Sequence, residues 1–135
     1  VKMKKVLLFI LCIDVVFAGV AFDGAINKHN KGQHTEALSQ YIDICKGVIK
    51  EEKILRGVAC QMAGEMSENG TGTFTNHKDA FNFYVDACRF NIKSCAMLGR
   101  AYYLGIGVEK DNTSGNYYMK LACRAGLENE ICKNY

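Results

Sequence analysis

The sequence predicts an all-α fold, an α/α solenoid of helix hairpins stapled by disulfides. Three observations predict it. Cysteines recur at a fixed step, since Cys60 to Cys95 and Cys88 to Cys123 are each 35 residues. Apolar residues inside that step follow a helical period. The segments between them are closed by glycine pairs. A period in the mid-thirties is that of helix–turn–helix solenoids.

The chain has 135 residues, and residues 1–18 read as a leader. "VKMKK" is basic, "VLLFILCI" is apolar, and "VVFA" ends small, which is the order of a secretory signal peptide. The apolar run is shorter than the roughly 20 residues a membrane-spanning helix needs. Asp14 at its end departs from the pattern. Cleavage after Ala18, with Val16 two residues before it, is expected, and Ala21 is the second choice. Ile10 and Leu11 before Cys12 are too large for a lipidation signal, so Cys12 is read as part of the apolar run.

Without the leader the chain carries 14 basic and 13 acidic residues, because Lys2, Lys4, Lys5 and Asp14 leave it. A net charge near +1 lacks the basic footprint of a nucleic-acid binder. Six cysteines remain, at positions 45, 60, 88, 95, 123 and 132. An even number in a small exported chain reads as a disulfide framework whose connectivity counting alone leaves open.

Residues 19–135 then form one repeat domain, with a partial repeat over about 22–59. In it "HTEALSQYIDIC" sets Ala37 and Tyr41 as far before Cys45 as Ala80 and Tyr84 stand before Cys88. Full repeats follow over about 60–94 and 95–131, with a short C-terminal cap. Slid by 35 residues, Cys60, Met62, Gly64, Gly70, Gly72, Ala87, Cys88 and Arg89 fall without a gap on Cys95, Met97, Gly99, Gly105, Gly107, Ala122, Cys123 and Arg124. Ala80, Phe83, Tyr84 and Ala87 form one helical stripe. Met97, Leu98, Ala101, Tyr102 and Leu104 form a wider one, with Ser94 expected as its N-cap. Gly70 with Gly72, and Gly105 with Gly107, supply left-handed helix stops. These glycines follow helices rather than strands and lack a third glycine, which sets phosphate-loop chemistry aside. Asp111, Asn112 and Thr113 offer caps for the helix carrying Tyr117, Tyr118, Leu121 and Ala122.

"LGRAYYLGIGVEKDNTSGNYYMKLACRAG", 98–126, resembles the Sel1-like repeat, a relative of the tetratricopeptide repeat. It has that family's Leu-Gly, Tyr, Gly-x-Gly-Val, Lys-Asp, paired aromatic and Ala-x-x-Gly. With cysteines at both helix ends, the chain is similar to the Helicobacter cysteine-rich proteins (Hcp) over roughly 22–135. The preceding repeat departs from the pattern, with "TFTNHKD" where Gly-Val-x-x-Asp is usual, and 45–60 is longer between its cysteines. Each unit read from cysteine to cysteine brings the end of one helix to the start of the next, within the roughly 4.4–6.8 Å Cα separation of a disulfide. That reading and the Hcp resemblance both give Cys45–Cys60, Cys88–Cys95 and Cys123–Cys132.

Metal and redox readings fit less well. Zinc sites bring cysteines about two to four residues apart with paired His or Cys. His29, His34 and His77 make no such pair, and His29 and His34 are expected at the surface. Cys-x-x-Cys is absent. No metal or other cofactor is expected.

Two functions follow. A tetratricopeptide-like solenoid is a binding module for a protein, peptide or peptidoglycan-type fragment, and the resemblance implies that the first helix of each pair lines the groove. Its polar positions are expected to include Gln40, Asp43, Lys78, Asn82, Asp86, Asn116 and Lys120. Tyr102, Tyr103, Tyr117 and Tyr118 are expected to pack the repeats. The Hcp resemblance implies the alternative, a weak β-lactamase binding β-lactams. No catalytic motif accompanies it: "SQYI", "SENG", "SCAM" and "SGNY" lack Ser-x-x-Lys, and Lys-Thr-Gly is missing. "HTEAL" lacks the second histidine of a zinc-protease helix. Glu65 and Glu68 near the first glycine turn are candidates for acid–base work, but nothing in the sequence singles them out, and they read as ordinary charges on a helix surface. Catalytic residues are therefore unassigned. The leader places the mature chain in the periplasm or outside the cell, with no stable membrane span.

Overall fold

The computed structural model describes residues 19–135; the leader assignment falls on 1–18, outside them. Six α-helices follow one another: α1 (Val20–Asn30), α2 (His34–Lys46), α3 (Lys53–Asn69), α4 (His77–Phe90), α5 (Cys95–Leu104) and α6 (Asn112–Arg124). Short 3-10 turns occupy Ile92–Ser94 and Glu130–Asn134, and no strand occurs among the described residues. Each helix packs chiefly on its neighbours in sequence. The broadest interfaces pair α1 with α2, α3 with α4 and α5 with α6, while α2–α3 and α4–α5 join one pair to the next. That nearest-neighbour packing is the signature of a solenoid.

Local chemistry sets the helix ends. The Asn76 side chain accepts from the Asp79 amide at 3.1 Å and donates to the Asp79 carboxylate at 2.6 Å, a reciprocal start to α4. Asp111 caps α6 through the Thr113 amide at 2.9 Å, and the Ser114 hydroxyl adds a bond at 2.6 Å. Those bonds, Ser114 first, hold the Asp111 carboxyl below its usual range. Gly70 and Gly105 end α3 and α5 at φ 71°, where an L side chain is strained. Ser94 does not cap α5 with its side chain. It ends a 3-10 turn in right-handed conformation, and its buried hydroxyl donates 2.8 Å to Gln61 on α3. Ser94 thus holds the N-cap position of α5, as expected, but its hydroxyl serves the contact with α3 and caps no amide of α5.

The core falls into two clusters. Phe22, Leu38, Tyr41, Ile44, Met66 and Phe83 fill the first, with Ala25, Ala37, Ala59 and Ala63 at the helix crossings. Tyr84, Leu98, Ala101 and Ile106 form the second. Small residues let the backbones meet. A Cβ on Gly57 falls 2.5 Å from the Asn91 Cβ and 2.8 Å from the Asn91 nitrogen, and one on Gly64 falls 2.5 Å from the Tyr84 ring. Side chains essentially never approach so closely, so α3 lies on α4 only because these positions are glycine.

The cysteines meet at disulfide distance in three pairs. Cα separations are 4.7 Å for Cys45–Cys60, 4.2 Å for Cys88–Cys95 and 5.4 Å for Cys123–Cys132. The first pair is fully buried between α2 and α3. The second spans the α4–α5 turn, and the third ties the C-terminal 3-10 turn to α6.

Tyr102 and Tyr118 stack with centroids 5.7 Å apart, and Phe81 meets Tyr102 edge-on at 5.5 Å. These half-buried rings pack the α4, α5 and α6 layers, as their spacing suggests. Tyr117 departs from the packing expectation: it is 62% exposed, touching Tyr118 edge-on. No further helix among the described residues covers that side of α6. The two histidines expected at the surface are half-buried instead. Their rings meet edge-on at 5.2 Å across the α1–α2 turn, with Nδ1 of each buried.

Candidate interaction face

The groove residues expected from the sequence scatter over different environments. Gln40 is committed to the α1–α2 hairpin: its amide donates to the Ala21 carbonyl and accepts from Lys28 Nζ, both at 2.7 Å. Asn116 is exposed, but its carbonyl oxygen accepts from Tyr103 at 2.7 Å and from Tyr135 at 3.1 Å. Burial and the bond to Tyr135 push the Tyr103 hydroxyl up to about 12. Lys78 and Asn82, one turn apart on α4, are exposed, as is Lys120 on α6. Asp86 is half-buried and pairs with Lys46 at 3.0 Å and Arg89 at 3.2 Å.

The Lys46–Asp86 pair crosses from α2 to α4, so the outward stripes of these two helices share one face. A hollow of about 260 Å³ opens between α2 and the α3–α4 turn. The α2 residues Thr35, Leu38, Ser39, Ile42 and Asp43 line one side, and Gly72 and Thr73 of the α3–α4 turn line the other. The turn is held against α2 closely, since a Cβ on Gly72 falls 2.6 Å from the His34 carbonyl, and the Thr35 hydroxyl donates to the Gly72 carbonyl at 3.3 Å. Next in the turn stands Phe74, 93% exposed. The site thus offers an apolar floor from Leu38 and Ile42, three hydroxyls, one carboxylate and an unburied aromatic ring beside them. Of the expected polar positions, Asp43 alone lines the hollow. The other liners and Phe74 were not singled out by the sequence reading.

A second polar cluster links the repeats. Glu68 on α3 accepts from the Tyr84 hydroxyl on α4 and the Arg100 guanidinium on α5. Burial raises the Glu68 carboxyl, but the bonds from Arg100 and Tyr84 outweigh it and hold the group below its ordinary range. Burial and Glu68 push the Tyr84 hydroxyl well up. A carboxylate held ionised by a guanidinium and a phenol is a poor general acid or base at neutral pH. Glu68 is a joint between repeats, and Glu65 beside it accepts from Gln61 at 2.9 Å.

The serines carry no nucleophile arrangement. Ser94 donates to Gln61 and Ser114 to Asp111, Ser67 is buried, and no serine among the described residues bonds a lysine or histidine. No group of three or more His, Cys, Asp or Glu side chains among them is placed to hold a metal ion. None of their helices is long and apolar enough to cross a membrane.

Stacked helix hairpins of this length, joined neighbour to neighbour, define an α-solenoid repeat protein. The Sel1 repeat family model matches residues 57–89 and 92–127, just over half of the chain, and the protein belongs to that family. No curated protein sequence matches it. The matched units pair α3 with α4 and α5 with α6. Counted from cysteine to cysteine, α2, α4 and α6 are the first helices of their pairs; in the family register they are the second. The expected groove positions therefore sit on second helices; Cys88–Cys95 joins the two matched units, Cys45–Cys60 joins α2 to the first of them, and Cys123–Cys132 closes the terminal turn onto α6.

Proposed function

We propose that the protein is an exported interaction module, and that it takes an extended peptide segment of a partner protein in the hollow between α2 and the α3–α4 turn. Sel1 repeats commonly mediate protein interactions, and three stapled cysteine pairs suit an oxidising compartment. The observation that carries the reading is Phe74, an aromatic ring left 93% in water beside a hollow floored by Leu38 and Ile42. Burying such a ring against a partner contributes about 1.5–3 kcal/mol. Asp43, Thr35 and Ser39 offer acceptors to a basic residue or to peptide amides. The favoured ligand is a peptide with an apolar side chain for the hollow and a cationic group for Asp43.

The experiment is selection of a displayed random-peptide library on the oxidised domain. An enriched apolar–basic consensus is expected, with affinity falling about tenfold or more in Phe74→Ser and Asp43→Ala while melting is unchanged. Enriched peptides indifferent to both substitutions overturn the site. Saturable binding of a muropeptide instead of peptides moves the ligand to cell-wall fragments. Steady turnover of a chromogenic cephalosporin, lost on unfolding, restores the hydrolase that the Hcp resemblance implies.

A further inference from the structure

Glu51, in the α2–α3 connection, is a half-buried carboxylate whose hydrogen bonds run to the start of the described chain. One oxygen accepts from the Gly19 nitrogen at 2.8 Å and the other from the Phe22 nitrogen at 3.1 Å. No lysine or arginine side chain among the described residues pairs with it. The two backbone amides take one acceptor site on each oxygen, and no side-chain cation among the described residues balances the charge. The positive charge that fits is a free α-amine at residue 19.

We propose that leader removal between Ala18 and Gly19 creates that charge, and that Glu51 is the receptor for the new α-ammonium. The inference rests on the leader reading of residues 1–18. A leader endopeptidase adds water across the Ala18–Gly19 amide. Ala18 takes the water oxygen and leaves as a carboxylate, and the Gly19 nitrogen takes both water protons and becomes an ammonium. A neutral amide donor to Glu51 is thereby replaced by a charged one, a stronger class of hydrogen bond. The pair fastens the start of α1 to the segment entering α3, about 30 residues away along the chain.

Cleavage at the alternative bond, after Ala21, also frees a nitrogen that touches Glu51, that of Phe22. It removes too much. The Ala21 carbonyl holds the Gln40 amide at 2.7 Å, and the Gly19 carbonyl accepts from the Asp23 amide at 2.9 Å in the first turn of α1. Cutting at Ala18 keeps both.

Two measurements test separate parts of the proposal. The full chain is exported from a bacterial host and its mature terminus read by intact mass and N-terminal sequencing; a chain beginning at Gly19 is expected. An uncleaved product overturns the leader reading, and a terminus at any other residue overturns the assignment to Gly19. In the purified mature protein, the Gly19 amine is then acetylated, alone and combined with Glu51→Gln. Glutamine keeps one of the two acceptor oxygens at the same size and removes the charge. Each change is expected to lower the melting temperature by about 3–6 °C, and the combination by no more than either. The α-amine is also expected to react about threefold or more faster with an acylating reagent in Glu51→Gln, because an ion-paired amine is held protonated. Additive melting losses, or equal reactivity with and without the Glu51 charge, overturn the receptor role.

Discussion

Removing the three disulfides one pair at a time, as Cys→Ala double variants, is expected to produce unequal losses. The bridges close separations of 15, 7 and 9 residues for Cys45–Cys60, Cys88–Cys95 and Cys123–Cys132. Loop-closure entropy assigns about 3 kcal/mol to the first and about 2.5 kcal/mol to each of the others. Burial separates them further. Cys45 and Cys60 are 1% and 0% exposed in the first core cluster, so deleting both sulfurs adds about 1 kcal/mol of lost packing. Cys132 lies in a 3-10 turn with no buried residue, so its release frays a tail rather than the core. With a urea slope of about 1.5 kcal/mol/M, the Cys45/Cys60 variant loses about 2.5 M in its unfolding midpoint. The Cys88/Cys95 variant loses about 1.5 M, and the Cys123/Cys132 variant under about 0.5 M. Complete reduction removes about 6 kcal/mol, comparable to the whole stability of a small domain at about 5–15 kcal/mol. Far-UV circular dichroism in urea reads all four. Unchanged helicity and midpoint after full reduction, or a terminal pair that costs as much as the buried one, refutes the argument.

Two further predictions concern the joints between helices. Gly57→Ala gains about 1 kcal/mol in helix propensity, but its methyl meets Asn91 backbone at 2.8 Å, which cannot step aside. Overpacking of about 1–3 kcal/mol wins, and melting falls by several degrees. Gly24→Ala meets only the Gln40 side-chain amide at 3.2 Å, which needs to give by a few tenths of an ångström, and is expected to be near neutral, so a thermal scan showing Gly57→Ala equal to or above wild type contradicts the close-approach account. Glu68→Gln is expected to cost about 1–2 kcal/mol at neutral pH by weakening the charged bonds from Arg100 and Tyr84. The folded Glu68 carboxyl lies below its ordinary value, so its contribution is present above the unfolded pKa near 4.3 and is lost as pH falls through the lower folded value. Melting curves of variant and wild type should converge in acid; a gap that stays constant from pH 7 down to about pH 2 rules out the ionic joint.

What repeats was legible in the sequence, because each unit makes the same physical demand. Gly64 and Gly99 recur because a helix crosses there, Gly70 and Gly105 because the chain turns left-handed, and Ala87 and Ala122 because a neighbouring helix leaves no room. The fate of the polar side chains was not legible. Gln40, Asn116 and Ser94 all sit at outward or capping positions by periodicity, yet each is bonded to a partner 13 to 33 residues distant. No period encodes such contacts. The helix register was equally ambiguous, since a chain of alternating hairpins can be cut into pairs at either turn, and the cysteines mark the turn between units. One signal for the interaction face was present in the repeat itself. The 35-residue step sets Phe74 on Glu109 and Thr73 on Val108. Glu109 is exposed, as a charged turn residue should be, whereas the equivalent Phe74 places an aromatic ring in water at the same register position. A polar residue on a helix face is consistent with ordinary solvation and says little about binding. An apolar residue where the sister repeat carries a charge has no solvation account and gains nothing from the fold. It is the stronger marker of a surface that something else covers.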